Sequence, residues 1–426
     1  MRFRIFSKCA NRLALAALVL ALAFAQAPAA LAQSIELRML HHQADTGNRQ
    51  VLQELLRGFE AENPGIVVKD FHTKTSTVLP EAQAAAAADR PFDVVLVLAR
   101  LVPGAIEATN ARPFSEAPDG GAFMSAFSEG LRPVGMINGE YYMAPFAFGT
   151  PLLFYNMDLM EKAGLDPNSP PATMQELAEM AKKVHENTGE NGVYIIAGGL
   201  DLGPQTMIRL TGSPYLNGNS AAFNTPDAIE VMQFWSDLVG DGLHPRVPDQ
   251  ESPSIMSAGR LAFLATTSGR TNGLLKGAKG NYRLGVAKFP TWKGRPLKVP
   301  HSGAGLMVMS QDAAKKDAAF RLVAFLSQAE ITNRWSRETG YMPVSVNPLD
   351  DPATGDFIEK VPEYAVVVDQ MNDTVPTALW PGNRVVEGQT IVFNLLSDLW
   401  EQKGTAAELV PPAAEEVTRI LQESTN

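Results

Sequence analysis

Apolar and polar residues alternate along the chain with two distinct periods. Ile35, Leu37 and Met39 alternate with polar neighbours, as in a strand with one face in a core. Val51, Leu52, Leu55, Leu56 and Phe59 then recur at helical spacing, until Asn63-Pro64-Gly65 stops the helix. Residues 66–68 restart as a strand, and an alanine-rich helix over about residues 81–89 leads into residues 92–98. The unbroken aliphatic and β-branched run in that last segment predicts a strand buried on both faces of a parallel sheet. The order β-α-β-α-β is the unit of a doubly wound domain.

The alternation recurs further on. Thr173-Met174-Gln175-Glu176 predicts a capping box at the start of a helix with Leu177, Met180, Ala181 and Val184 on its apolar face, and Thr225-Pro226-Asp227 opens another. Thr405-Ala406-Ala407-Glu408 reads as a further capping box near the end. Residues 195–197, 261–264, 284–286 and 306–309 read as strands and residues 320–326 as part of an apolar helix. No repeat at solenoid periods interrupts this order.

The first 32 residues follow a different rule. Arg2, Arg4, Lys8 and Arg12 precede an apolar run over residues 13–25, and Ala30-Leu31-Ala32 follows. This is the pattern of a secretory signal peptide cleaved after Ala32, the run being shorter than the ~20 residues of a membrane-spanning anchor. The only cysteine, Cys9, would leave with it. No cysteine stands at the cleavage point, so a lipoprotein anchor is excluded, and a periplasmic chain without thiols or disulfides is expected.

Composition narrows the function classes. With 426 residues, 45% hydrophobic and 19% charged, the chain has material for two or three domains and is neither disordered, collagenous nor a disulfide scaffold. Its net charge of −10 becomes −14 once the four basic residues of the signal segment are lost. Such a balance argues against nucleic acid as a partner, which needs a basic footprint. No linker divides the chain, whereas Pro- and Gly-punctuated stretches at 144–151, 289–300 and 326–335 suggest several crossings between two discontinuous lobes. The expected lobes are residues 33–148 with 290–330, and 149–289 with 331–426.

Several segments carry a family resemblance. They are Phe59 to Pro64, Tyr142 to Phe146, Thr150 to Asp158, Lys162 to Pro167, Pro170 to Thr173, Ala258 to Ala262 with Thr266 to Gly269, and Gly303 to Leu306 leading to Thr339 to Pro343. In this order and spacing, the chain resembles the family 1 extracellular solute-binding proteins of ABC importers. Through residues 339–343 and 391–400 it is most similar to the glycerol-3-phosphate-binding and sugar-binding members. The resemblance implies an α/β, type II-like periplasmic binding protein fold, each lobe a doubly wound sheet with helices on both faces and a ligand cleft at the hinge. It implies hinge closure on a sugar, oligosaccharide or polyol, and delivery to inner-membrane ABC permease subunits that leave ATP use to other subunits. A monomer is expected, and no cofactor or metal is indicated.

Candidate ligand contacts follow from the residues and from the resemblance. A sugar site needs rings for its C–H faces and fixed donors and acceptors for its hydroxyls. Trp380, beside Pro381-Gly382, is a stacking candidate or else a core ring, whereas Trp235 and Trp400 fall in apolar helical patterns and read as core. Tyr341, Ser268 and Gly303 match family positions that approach the ligand, Tyr341 being otherwise a hinge-packing ring. His42 and Asp45 follow the first strand, at the lobe edge where the family places contacts, or else they are solvated loop residues. Phe148 falls in the first crossing, and Arg100 and Arg384 have the bidentate geometry for an anion, with surface charge as the alternative.

Three departures from the glycerol-phosphate relatives bear on the ligand. Thr75 falls near a tyrosine of theirs, Ala99 near an acid and Gln389 near an arginine. A neutral sugar, oligosaccharide or polyol is therefore expected, with glycerol-3-phosphate or a glycerophosphodiester as the alternative if Arg384 supplies the charge. Two other classes remain open. A secreted glycosidase needs only a suitably spaced carboxylate pair, although no HExxH, G-x-S-x-G or cysteine nucleophile is present. An exported structural or chaperone-like protein would have no small ligand.

Overall fold

A computed structural model describes residues 34–43, 47–196, 202–381 and 384–424. The signal segment, Cys9 and Asp45 lie outside the described residues. The first lobe begins as its pattern predicts, with β1 (Ile35–His41), α1 (Gly47–Glu62), β2 (Ile66–His72), α2 (Val78–Ala87) and β3 (Val94–Leu98). β1 pairs in parallel with β2, Ile35 opposite Ile66, and with β3, Met39 opposite Val94. The predicted face of α1, from Val51 to Phe59, is the face it buries.

Two fully buried strands follow, β4 (Ala144–Gly149) and β5 (Pro151–Asn156), separated by Thr150 alone. β4 belongs to the first sheet and β5 to the second, so the whole crossing occupies one residue. The second lobe continues with α3 (Met174–Thr188), β6 (Asn191–Ile195), α4 (Pro226–Gly240), β7 (Leu261–Thr267) and β8 (Leu284–Lys288). Both bonds of the Thr173 and Glu176 capping box are present, and the Thr225 hydroxyl accepts from the Ala228 N–H. The strand expected at 195–197 lies earlier, at 191–195, where Val193 and Ile195 enter the core. The second sheet has the order β8-β5-β7-β6, with β7 parallel to β6 and antiparallel to β5.

The chain then returns to the first lobe through β9 (Val299–Val308), α5 (Ala313–Leu326) and α6 (Ala329–Thr339). β9 runs antiparallel to β3, Ala304 opposite Leu98, and antiparallel to β4. The all-parallel sheet expected around residues 92–98 is therefore mixed, because the returning strand enters from the other lobe in the opposite direction. α6 stays on the first lobe: Arg334 bonds Glu54 of α1 at 2.6 Å, and the Ser128 N–H donates to the Val344 carbonyl at 3.0 Å. The lobe boundary expected at residue 330 is thus corrected to beyond Val344. After α7 (Glu363–Gln370) and β10 (Thr374–Pro376), the chain closes the second lobe with α8 (Val385–Trp400) and α9 (Ala406–Ser424), and both pack on α4. The backbone and side chain of Thr405 exchange hydrogen bonds with Glu408, as its pattern predicts.

The interlobe cleft as candidate ligand site

The ends of the parallel strands converge where the lobes meet. β1 delivers His42, β2 delivers His72, Thr73, Lys74, Thr75 and Ser76, and β3 delivers Leu98 and Arg100. This is the carboxyl edge at which open α/β sheets bind ligands. β9 adds Ser302 and Gly303, β4 adds Ala147, and the turn after α6 adds Tyr341. The opposite wall comes from Ile196, Leu202, Gln250, Thr267, Thr390 and Phe393. Together they enclose a cavity of about 1180 Å³. A second concavity of about 370 Å³, beside Asn156 and Tyr282, lies within one lobe. Its polar groups serve the fold: the Asn156 side chain caps a helix by accepting from the Asp158 and Leu159 N–H groups, and Arg283 holds Asp158 at 2.6 Å.

The cleft holds uncharged donors beside cations. Burial, with His41 adjacent, brings the His42 pKa down to about 4, so its imidazole is neutral at physiological pH, and its buried Nδ1 has no partner among the described residues. The Gln43 amide lies 3.4 Å from His42 Nε2 and 3.5 Å from the Tyr341 hydroxyl, linking the two sides of that wall. Tyr341 stacks on Trp335 with ring centroids 5.8 Å apart, and burial pushes its phenol up, so it remains a protonated donor. Arg100, 7% exposed, donates from Nε to Gln389 Oε1 at 3.2 Å and so reaches from the first lobe to α8 of the second. Lys74 is exposed and has no acidic partner among the described residues. None of the described residues lining the cleft carries a carboxylate.

Of the residues singled out from the sequence, His42, Thr75, Gly303, Tyr341 and Arg100 meet in this cleft. The other candidates among the described residues are placed elsewhere. Ser268 is fully buried and pins the crossing: its N–H donates to the Thr150 carbonyl at 2.8 Å and its hydroxyl accepts from the Thr150 N–H at 3.3 Å. Its neighbour Thr267 faces the cleft instead. Phe148 points into the core, edge-on to His301 at 5.8 Å, because strand alternation turns Ala147 toward the cleft and Phe148 away.

For two candidates the structure favours the alternative that the sequence left open. Trp380 is a core ring, 1% exposed and edge-on to Tyr215 at 5.9 Å. It packs over Gly388 of α8, where a Cβ would come within 2.7 Å of the indole. Arg384 is held on the outside of the second lobe by Glu387 and Glu423, so its charge is already matched. Gln43, His72, Lys74, Ser76, Thr390 and Phe393 were not singled out. The first four lie at or just after the ends of β1 and β2, the same signal that pointed to His42.

Comparison with known proteins agrees with this architecture. The family model described as bacterial extracellular solute-binding protein matches residues 54–364. The sn-glycerol-3-phosphate-binding periplasmic protein UgpB of Pectobacterium atrosepticum is 27% identical over 300 residues, covering 67% of this chain and 67% of that one. UgpB from Mycobacterium tuberculosis, solved in complex with glycerophosphocholine, superposes with a TM-score of 0.81 at 21% identity, covering 92% of this chain and 99% of that one. The cyclic alpha-maltosyl-1,6-maltose binding protein from Arthrobacter globiformis superposes with a TM-score of 0.77 at 22% identity, covering 92% and 100%. These structures share the two-lobed periplasmic binding protein fold. With the family model matched over most of its length, the chain belongs to the bacterial extracellular solute-binding proteins.

Proposed function

We propose that this chain is the periplasmic capture subunit of an ABC importer for a carbohydrate-type solute: a sugar, oligosaccharide or polyol. The observation that carries the reading is the interlobe cavity of about 1180 Å³, in which hydroxyls, neutral imidazole and a protonated phenol face a wall that carries Ile196, Leu202 and the Phe393 ring among Gln250, Thr267 and Thr390. A sugar presents hydroxyls to be bonded and C–H faces to be covered, and this division matches it. Thr150, the single residue between β4 and β5, and the Ser268 bonds that hold it are the natural pivot for closure. Closure would bring both lobes into one surface for the membrane permease, the captured solute passing on unchanged.

A second reading has its own support. Lys74 lines the cleft with no acidic partner among the described residues, which suits a glycerol phosphate or glycerophosphodiester. One relative is named for glycerol-3-phosphate, and the Mycobacterium neighbour was solved with glycerophosphocholine. Arg384 plays no part in this reading, since its charge is matched outside the cleft.

A thermal-shift panel of neutral sugars, oligosaccharides, polyols, glycerol-3-phosphate and glycerophosphodiesters decides between them. A ligand at 100 times its Kd stabilises the folded state by about 2.7 kcal/mol, a readily measured shift. A neutral hit supports the carbohydrate reading, and a hit restricted to phosphates replaces it with the second. A flat response across the panel overturns both.

A further inference from the structure

Helix α8 buries Val385, Val392, Leu395, Leu396 and Leu399 in the second lobe, and this face accounts for its packing. Val386, Thr390, Phe393, Ser397 and Trp400 recur at helical spacing on another face. Phe393, 46% exposed, is a ring that the core does not use. It lines the interlobe cleft and also a neighbouring cavity of about 490 Å³. Gln250 likewise belongs to both walls, so the two cavities adjoin along the Phe393 and Gln250 edge.

The neighbouring cavity has an ordered aromatic floor. The Trp400 ring lies 5.7 Å from Trp235, 6.5 Å from Tyr194 and 5.2 Å from His244. Acids at its edge are matched: Asp249 by Arg270 at 2.6 Å and Glu401 by Lys403 at 2.7 Å. What remains is an apolar surface with the Gln250 amide, the Ser397 hydroxyl and the Arg246 guanidinium beside it.

We propose that this cavity is an annex of the ligand site that takes a further sugar unit of an elongated solute, with Phe393 as the ring on which that unit stacks. The captured solute is then an oligosaccharide, not a monosaccharide or simple polyol. The annex pairs an aromatic face with hydrogen-bonding groups, the Gln250 amide, the Ser397 hydroxyl and the Arg246 donors, which are the two requirements of a pyranose ring. It continues directly from the cleft, so a chain of units leaving one cavity enters the other. The proposal rests on the carbohydrate reading above.

The test uses malto-, cello- and manno-oligosaccharides of one to four units, with glycerophosphocholine as a contrast. Thermal shift of the unaltered protein reports binding anywhere, and Phe393→Ala reports the stacking ring. The exported chain is expected to lack cysteine, so Ser397→Cys carrying an environment-sensitive fluorophore reports the annex alone. In one series, affinity is expected to rise with length. Phe393→Ala should weaken the longer members at least tenfold and by several times more than it weakens the monosaccharide, since the ring also lines the cleft, while the Ser397 label responds to the longer members only. If saccharides shift the melting temperature but the label stays silent with the longest, the annex is empty and the proposal falls while the carbohydrate reading stands. If no saccharide shifts the melting temperature, the carbohydrate reading fails and the proposal with it. A label that responds to glycerophosphocholine and to no saccharide overturns the sugar assignment. Should Phe393→Ala fail to fold, the Ser397 label still decides.

Discussion

The first lobe meets the cleft with His42, His72, Thr73, Lys74, Thr75 and Ser76, whereas the second meets it with Ile196, Leu202 and Phe393 around a few polar groups. The difference follows from how each wall is made. Turns after parallel strands leave backbone groups unpaired and favour short polar side chains, which become a set of directed donors and acceptors. A helix flank such as that of α8 offers a broad stripe at fixed spacing, suited to covering a ligand's face. One wall can thus sort hydroxyls while the other excludes water, and water exclusion strengthens the bonds made by the first.

The largest expected effect separates packing from recognition in the second lobe. Trp380→Ala should lower stability by about 3–5 kcal/mol, the usual loss for a buried tryptophan, measured by urea unfolding. Trp380→Phe should leave ligand affinity within about threefold. A tenfold loss of affinity with little loss of stability would instead return Trp380 to the binding wall.

Acid should act on both lobes through buried imidazoles. Burial brings His42 and His301 of the first lobe and His244 of the second down to about 4, against 6.5 in an unfolded chain. The unfolded chain therefore takes up protons that the native state refuses, and stability falls as pH drops from 6.5 toward 4. A loss of at least about 2 kcal/mol is expected across this window, read from urea midpoints, with a flat profile between pH 7 and 8. His42→Gln should flatten part of the slope, and an unchanged slope would remove His42 from the buried set.

The smallest effects compare two cations. Lys74→Ala should change affinity by less than about threefold for a neutral sugar and by about tenfold or more for a phosphate ligand, measured by calorimetry. Arg384→Ala should leave affinity unchanged and stability nearly so, because its ion pairs are on the surface. Equal losses of affinity at both positions would erase the contrast between the walls.

Much of the fold was legible because local rules and packing agree. The alternation in β1, the apolar face of α1 and the Thr173 and Thr405 caps each need only neighbours in sequence. The direction of β9 was not legible, since a strand's partner is chosen by the path of the whole chain. A crossing was expected at 144–151, but its punctuation hid that β4 and β5 are continuous buried strands with one residue between them. In the site, His42 was readable from its strand end, and the same rule applied to β2 reaches Lys74. Trp380 stayed open between cleft and core because Pro381-Gly382 marks a loop without saying which way the ring turns, and the space left by Gly388 draws it inward. The pairing of Arg384 with Glu387 was within reach, three residues apart on one helix, whereas Glu423 becomes its neighbour only through folding.

The position of β9 also sets the order in which the protein can be finished. β3 is flanked by β1 on one side and on the other by β9, which lies roughly two hundred residues further along the chain. During synthesis the first lobe therefore has no complete sheet until most of the second has been made. The same delay exposes a hazard: a product truncated before Val299 would present the Val94–Leu98 strand as an open apolar edge, ready to pair with another copy.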